Sequence, residues 1–160
     1  MRAMGVNNFT YSATGLSLTE GFEGCKLTAY RDQVGVLTIG YGHTGADVTP
    51  DLTITEDQAQ QLLAQDVSGA SDCVNRVVTV EVNQNQFDAL VDFVFNLGAG
   101  AFTGSTLLRD INAGDFASAA AQLLKWDHAG GVVVPGLLRR RQAEADLFNT
   151  SDSSAPIASA

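Results

Sequence analysis

The stretch from Thr55 to Val77 constrains the fold most. Thr55-Glu56-Asp57-Gln58 has the form of a capping box, with Thr first and Gln three residues on. The acidic pair in that first turn favours the helix dipole. Ala59, Leu62, Leu63, Asp66, Val67, Ala70, Val74 and Val77 then recur at helical spacing, which predicts one long helix from about Thr55 to Val77. A helix of that length can join two lobes.

The segments on its two sides differ in kind. Upstream, Leu27 to Tyr30 and Val36 to Tyr41 are rich in β-branched and aromatic residues around the turn RDQVG, so a small antiparallel sheet is expected up to about Val48. Downstream, Asn83 caps a helix whose apolar face is Phe87, Leu90, Val91, Val94 and Phe95, ending near Asn96-Leu97-Gly98. Further helices fit Ser105 to Asn112, Asp115 to Leu124, and Gly136 to Phe148 after a loop at Gly130-Gly131. The expectation is an α+β arrangement with strands segregated from helices. A small N-terminal sheet lobe (about 25–50) is joined by the long helix to a helical C-terminal lobe (about 78–149), with a cleft between them for an extended polymer. Residues 16–149 form the single domain, 1–15 a flexible arm and 150–160 a disordered tail, both polar and small-residue-rich.

Composition excludes several classes. At 45% hydrophobic, 160 residues hold enough apolar side chain for a packed interior. No apolar run is long enough to span a bilayer, and the start lacks the apolar core of a signal peptide. The formal net charge of −9 disfavours nucleic-acid binding and gives weak steering toward an anionic envelope. Cys25 and Cys73 do not form a metal-ligand spacing; free thiols are favoured over a bridge, since nothing marks an oxidising compartment.

The chemistry is expected in Glu20 to Thr44, EGFEGCKLTAYRDQVGVLTIGYGHT. Glu23 follows Leu16, Leu18 and Phe22 and precedes Gly24, which can end a helix. A carboxylate at a helix C-terminus meets partial negative charge and keeps its proton more readily, as a general acid must. Asp32 sits near the hairpin tip, solvated and ionised. One protonated and one charged carboxyl are the logic of glycoside hydrolysis. Thr38 could hold a water beside Asp32, because a hydroxyl both donates and accepts. On residue types alone, a Glu before Gly and an Asp in a turn are also ordinary surface residues. Glu20, one helical turn earlier, reads as a solvated or supporting carboxylate.

Spacing separates these readings. Eight residues lie between Glu23 and Asp32, five between Asp32 and Thr38, and Thr38 opens TIGYGHT. This pattern resembles the phage-type lysozymes (endolysins, muramidases) of glycoside hydrolase family 24, over about Leu16 to Phe148. Phe93 to Phe102, FVFNLGAGAF, is similar as well. The resemblance implies hydrolysis of the β-1,4 bond between N-acetylmuramic acid and N-acetylglucosamine in bacterial peptidoglycan, for host cell lysis. It implies Glu23 as acid and Asp32 with Thr38 as holders of water, with an inverting outcome. That position of the family also admits Cys, so the role of Asp32 is the less fixed. His43 and Asp66 match a structural ion pair between the sheet lobe and the long helix; a core histidine is the alternative. Asn96 faces the cleft or caps its helix. An arginine of the last helix, taken as Arg140 from the run Arg139-Arg140-Arg141, lies near the acid, while most of that run reads as a solvated face. Trp126 reads as core rather than sugar platform.

No metal or cofactor is implied. The expected partner is peptidoglycan, acted on by a monomer without stable membrane insertion, which accumulates in the host cytoplasm and reaches the wall and periplasm through a lesion made by another protein. Two rivals remain: a lytic transglycosylase, which needs only one essential Glu, and a non-catalytic glycan-binding module on the same fold, favoured by the acidic charge.

Overall fold

The computed structural model describes residues 6–150. A short helix α1 (Ala13–Glu23) leads into three strands, β1 (Lys26–Arg31), β2 (Leu37–Gly40) and β3 (His43–Thr44). The long helix α2 (Glu56–Val77) follows, then α3 (Gln84–Leu97), α4 (Ala99–Thr103), α5 (Thr106–Asn112) and α6 (Phe116–Leu123). A hairpin of β4 (His128–Ala129) and β5 (Val132–Val133) precedes α7 (Pro135–Phe148). The architecture is α+β, with a small antiparallel sheet and a helical bulk.

Local chemistry sets most boundaries. Thr55 and Gln58 form the full reciprocal capping box of α2, and Asn83 and Gln86 do the same for α3. Ser105 and Asp115 cap α5 and α6 through their side chains. The three strands run in the order β1-β2-β3, all antiparallel, with Tyr30 opposite Thr38 and Ile39 opposite His43. A bulge between Lys26 and Tyr30 bends β1.

The core lies under α3, whose residues Phe87 to Val94 are all buried. It packs against α1, α2 and α7 at once. A helix enclosed on every side has no solvent face for polar groups, yet Asp88 and Asp92 sit in that run, both fully buried. Their partners include groups from elsewhere in the chain: Ser12 for Asp88, and the Arg140 guanidinium for Asp92.

Four expectations change. Residues 7–12 are docked, not loose. Buried Asn7 donates to Val80 O (2.8 Å) and accepts from Val82 N (3.2 Å), and Phe9 exchanges two backbone hydrogen bonds with the Asn75 side chain. The Phe9 ring packs 5.2 Å from that of Phe87. These polar residues serve as hydrogen-bond bridges, so α1 starts at Ala13, within the supposed arm. Ala99–Thr103 adds a turn of helix that was not expected between α3 and α5, and β4 and β5 make a hairpin around Gly130-Gly131, where a loop was expected. The arginine run is not a solvated face: Arg139 is exposed, but Arg140 and Arg141 are buried. The expected arm at 1–5 and tail at 151–160 fall outside the described residues; Thr150 is tied down by its hydroxyl, which donates to Asp146 O at 2.7 Å.

Candidate active site

Glu23 is the last residue of α1, and the chain turns sharply at Gly24, whose φ is 70°. Its carboxyl group stands at an open groove of about 540 Å³ between the sheet lobe and the helices. Thr44, Asp66, Ala70, Val94, Phe95 and Asn96 share that lining. The Glu23 carboxyl is met by a cation. Arg140 Nη1 donates to Glu23 Oε2 at 2.7 Å, and the guanidinium lies 5.5 Å from the centroid of the Phe22 ring. The other oxygen, Oε1, faces the backbone at Gly42. A Cβ there would come within 2.8 Å of it, at a φ of 82° that also favours glycine.

Arg140 is held from behind. Its Nε donates to Asp92 Oδ2 (2.9 Å) and its Nη2 to Asp92 Oδ1 (2.8 Å), a bidentate fork. Thr19 donates to the same Oδ1 at 2.7 Å, and Tyr11 shares a 2.7 Å hydrogen bond with Thr19. Burial, the largest single influence, would push the Asp92 carboxyl up; the hydrogen bonds of Arg140, Glu144 and Thr19 and the charge of Arg140 together outweigh it and bring the pKa down to about 2. Burial likewise works against the Arg140 charge, but Asp92 and then Glu23 hold its pKa above the ordinary arginine value. Beside this fork, Arg141 Nη2 donates to Asn96 Oδ1 (2.7 Å) and to Glu144 Oε2 (3.0 Å), and its guanidinium lies 5.2 Å from the Phe93 ring centroid. Burial, then the hydrogen bond and charge of Asp92, push the Glu144 carboxyl well up against the pull of Arg141.

Asp32 and Thr38 lie on the hairpin of β1 and β2, outside the groove lining just described. Asp32 Oδ1 accepts from Val34 N and Val36 N, both at 2.9 Å, and so holds the turn in shape. Oδ2 takes no part in those bonds. Thr38 is buried, and its hydroxyl donates to Val36 O at 2.9 Å, which keeps its lone pairs available as acceptors. Asn96 is drawn to Arg141 and lines the groove; the α3 cap is Gly98, so the capping alternative for Asn96 falls away. Trp126 packs edge-on against Phe93, 5.4 Å between centroids. Cys25 and Cys73 are free thiols.

His43 joins two carboxylates. Its Nδ1 lies 2.8 Å from Asp66 Oδ2 and its Nε2 2.9 Å from Asp47 Oδ2. Burial pulls the imidazole down, but the hydrogen bonds to Asp66 and Asp47 win and hold its pKa above 6.5. A His whose folded value is raised stabilises the fold below pH 6.5, and that contribution is lost as pH rises through the raised value. Asp92 works in the opposite sense. Its contribution, about 2 kcal/mol, is present above pH 3.8 and lost as pH falls toward 2. The urea midpoint is therefore expected to fall as pH drops below about 4, where Asp92 takes up a proton, and to decline as pH rises above 4.5, first through the raised Glu144 and then through His43. Asp66→Asn should flatten the upper slope; a slope unchanged in that variant would remove His43 from the account.

The sequence comparison decides the family. Residues 20–144 match the family described as Phage lysozyme. The chain belongs to the phage lysozyme family. Among relatives, the endolysin of Bacillus phage B103 is 46% identical over 144 residues, 89% of this chain and 55% of that protein. The chain thus spans about half the length of this relative. The endolysin of Salmonella phage P22 is 39% identical, with 86% of this chain and 96% of that protein aligned. Of solved structures, the muramidase domain of SpmX from Asticaccaulis excentricus superposes with a TM-score of 0.85 at 36% identity, covering 90% of this chain and 100% of that one. A P22 lysozyme mutant gives 0.82 at 38% identity, covering 89% and 100%.

Within this phage lysozyme site, the residues that sequence reasoning missed are Asp92, Glu144, Asp47, Thr19 and Tyr11. One signal was available. In FDALVDFV every position but Asp88 and Asp92 is apolar, the mark of an enclosed helix whose carboxylates need partners.

Proposed function

We propose that the chain is an endo-acting muramidase that hydrolyses the β-1,4 bond between N-acetylmuramic acid and N-acetylglucosamine with inversion. The carrying observation is the half-buried carboxyl of Glu23 at the groove, oriented by Arg140 and closed in by the Gly42 backbone. In this reading Glu23 protonates the leaving oxygen. Asp32, through the oxygen that does not hold the turn, takes the proton of a water steadied by the Thr38 lone pairs, and that water attacks the opposite face of the sugar. Inversion needs room for the water, about 6.5–9.5 Å between the carboxyl groups; about 5–5.5 Å would mean a covalent intermediate and retention. His43 and Asp66 act in holding the sheet lobe to α2, not in bond breaking. The protein acts at the cell wall as a monomer. It accumulates in the host cytoplasm before release; among the described residues no helix is long and apolar enough to cross a membrane.

Incubation with purified peptidoglycan tests this directly. New reducing muramic-acid ends, first appearing as the α-anomer, support the proposal. An anhydro-sugar end means a lytic transglycosylase, and binding without new ends means a glycan-binding module. Asp32→Asn is the informative variant on the second carboxylate, because the amide oxygen can still hold the hairpin turn. It should keep the fold and lower kcat by about 10²–10⁴, the range for loss of a general base. Turnover within a few-fold of the parent would assign the water to another group.

A further inference from the structure

We propose that Asp92 is a positioning residue for the reaction: by clasping the far edge of Arg140 it offsets the guanidinium charge, so that Glu23 is oriented without being stripped of its proton. The inference rests on the muramidase reading, and it starts from a conflict within it. An acid must carry its proton at the working pH, yet Glu23 Oε2 sits 2.7 Å from an arginine nitrogen. A lone guanidinium at that distance favours the ionised carboxylate.

The fork resolves the conflict. Arg140 has its donors on a rigid plane. Two edges of that plane, Nε and Nη2, are directed to the two oxygens of Asp92, and only Nη1 reaches Glu23. Asp92 is fully buried, so no water screens its charge, and Thr19, backed by Tyr11, fixes its orientation. Arg140 and Asp92 together are close to neutral when met from the Glu23 side. What remains for Glu23 is a directed N–H.

The other groups around this point are accounted for. Along α1, Glu20 is half-buried and Thr19 donates to Asp92. Tyr11, from the leading segment, keeps its proton because burial and Asp92 raise its pKa. On α3, Asp88 is engaged by Ser12 and Gln84. On α7, Glu144 faces Asp92 with its carboxyl pushed well up by burial and then by the hydrogen bond and charge of Asp92, and Arg141 is occupied with Glu144 and Asn96. Across the groove, His43 is bracketed by Asp66 and Asp47. None of these forks onto Arg140 as Asp92 does.

The test is the pH profile of peptidoglycan hydrolysis in parent, Asp92→Asn, and Asp92→Asn combined with Arg140→Gln. The alkaline limb reports loss of the acid's proton. In Asp92→Asn the limb should move down by about one pH unit, a tenfold change in proton binding. In the double variant both charges are gone, and the limb should return to the parent position although kcat is lower. A uniform loss in Asp92→Asn with an unmoved limb makes Asp92 a structural prop and overturns the proposal. So does a double variant whose limb rises a unit above the parent, since that would mean Glu23 feels the full Arg140 charge. If Asp92→Asn does not fold, the double variant decides, because it leaves no unpaired buried charge. The same shifts can be read from the Glu23 carboxyl carbon by NMR without turnover. An inactive parent would therefore defeat the muramidase reading, while the NMR titration would still support or overturn the role of Asp92.

Discussion

Glu23→Gln should give a folded protein that fails to clear a suspension of permeabilised bacteria. The amide matches the carboxylate in size, and its oxygen can still accept from Arg140 Nη1, which now donates to Glu23 Oε2 at 2.7 Å. The Gly42 backbone would meet the same volume of side chain. What the amide cannot do is hand a proton to the departing sugar oxygen. Loss of a positioned general acid costs about 10²–10⁴ in rate, and a glycosidic leaving group is poor without protonation, so a fall of at least about 10³ in kcat is expected. The melting temperature should stay within a few degrees of the parent. Lysis at near-parental rates by the amide variant would show that another group supplies the proton.

The second large effect is on stability, at Arg141. This side chain is fully buried, as is Glu144, three residues on along the same helix. Arg141→Ala removes the cation bonded to Glu144, leaves Asn96 Oδ1 without this donor, and opens a void against Phe93. Breaking one partner out of a buried pair costs about 3–5 kcal/mol. For a chain of this size that is a drop of roughly 10 °C in melting temperature. The paired substitution Arg141→Met with Glu144→Leu should recover most of the loss, because an apolar pair of similar volume needs no desolvation of charge. Urea unfolding at neutral pH separates the outcomes. An Arg141→Ala protein within about 1 kcal/mol of the parent would mean that water enters to replace the contact.

These two variants fall on opposite sides of what the sequence made legible. Glu23, Asp32 and Thr38 stand close together in the chain, and their spacing could be checked residue by residue. The helix starts at Thr55, Asn83, Ser105 and Asp115 were equally visible, because a cap is a contact between residues three apart. Arg140 could be placed near the acid only through resemblance, since no local rule links positions 117 residues apart. Asp92 and Glu144 were missed because a carboxylate on a helix looks the same in sequence whether it faces water or a buried guanidinium. The all-apolar setting of Asp92 was the available clue. Asn7 was misjudged for a related reason: a polar residue near the start of a chain suggests solvation, yet this one joins Val80 to Val82 through its amide.

The distance between Glu23 and Arg140 along the chain bears on how the protein is made. In the proposed reading the acid is synthesised well before the residue that orients it, which belongs to α7 and leaves the ribosome 117 residues later. A growing chain can fold its sheet and much of its bundle and still have nothing to aim the Glu23 carboxyl. If Glu23 acts as proposed, competence arrives in one step once α7 has emerged, and chains still lacking that helix would have no oriented acid with which to attack a cell wall.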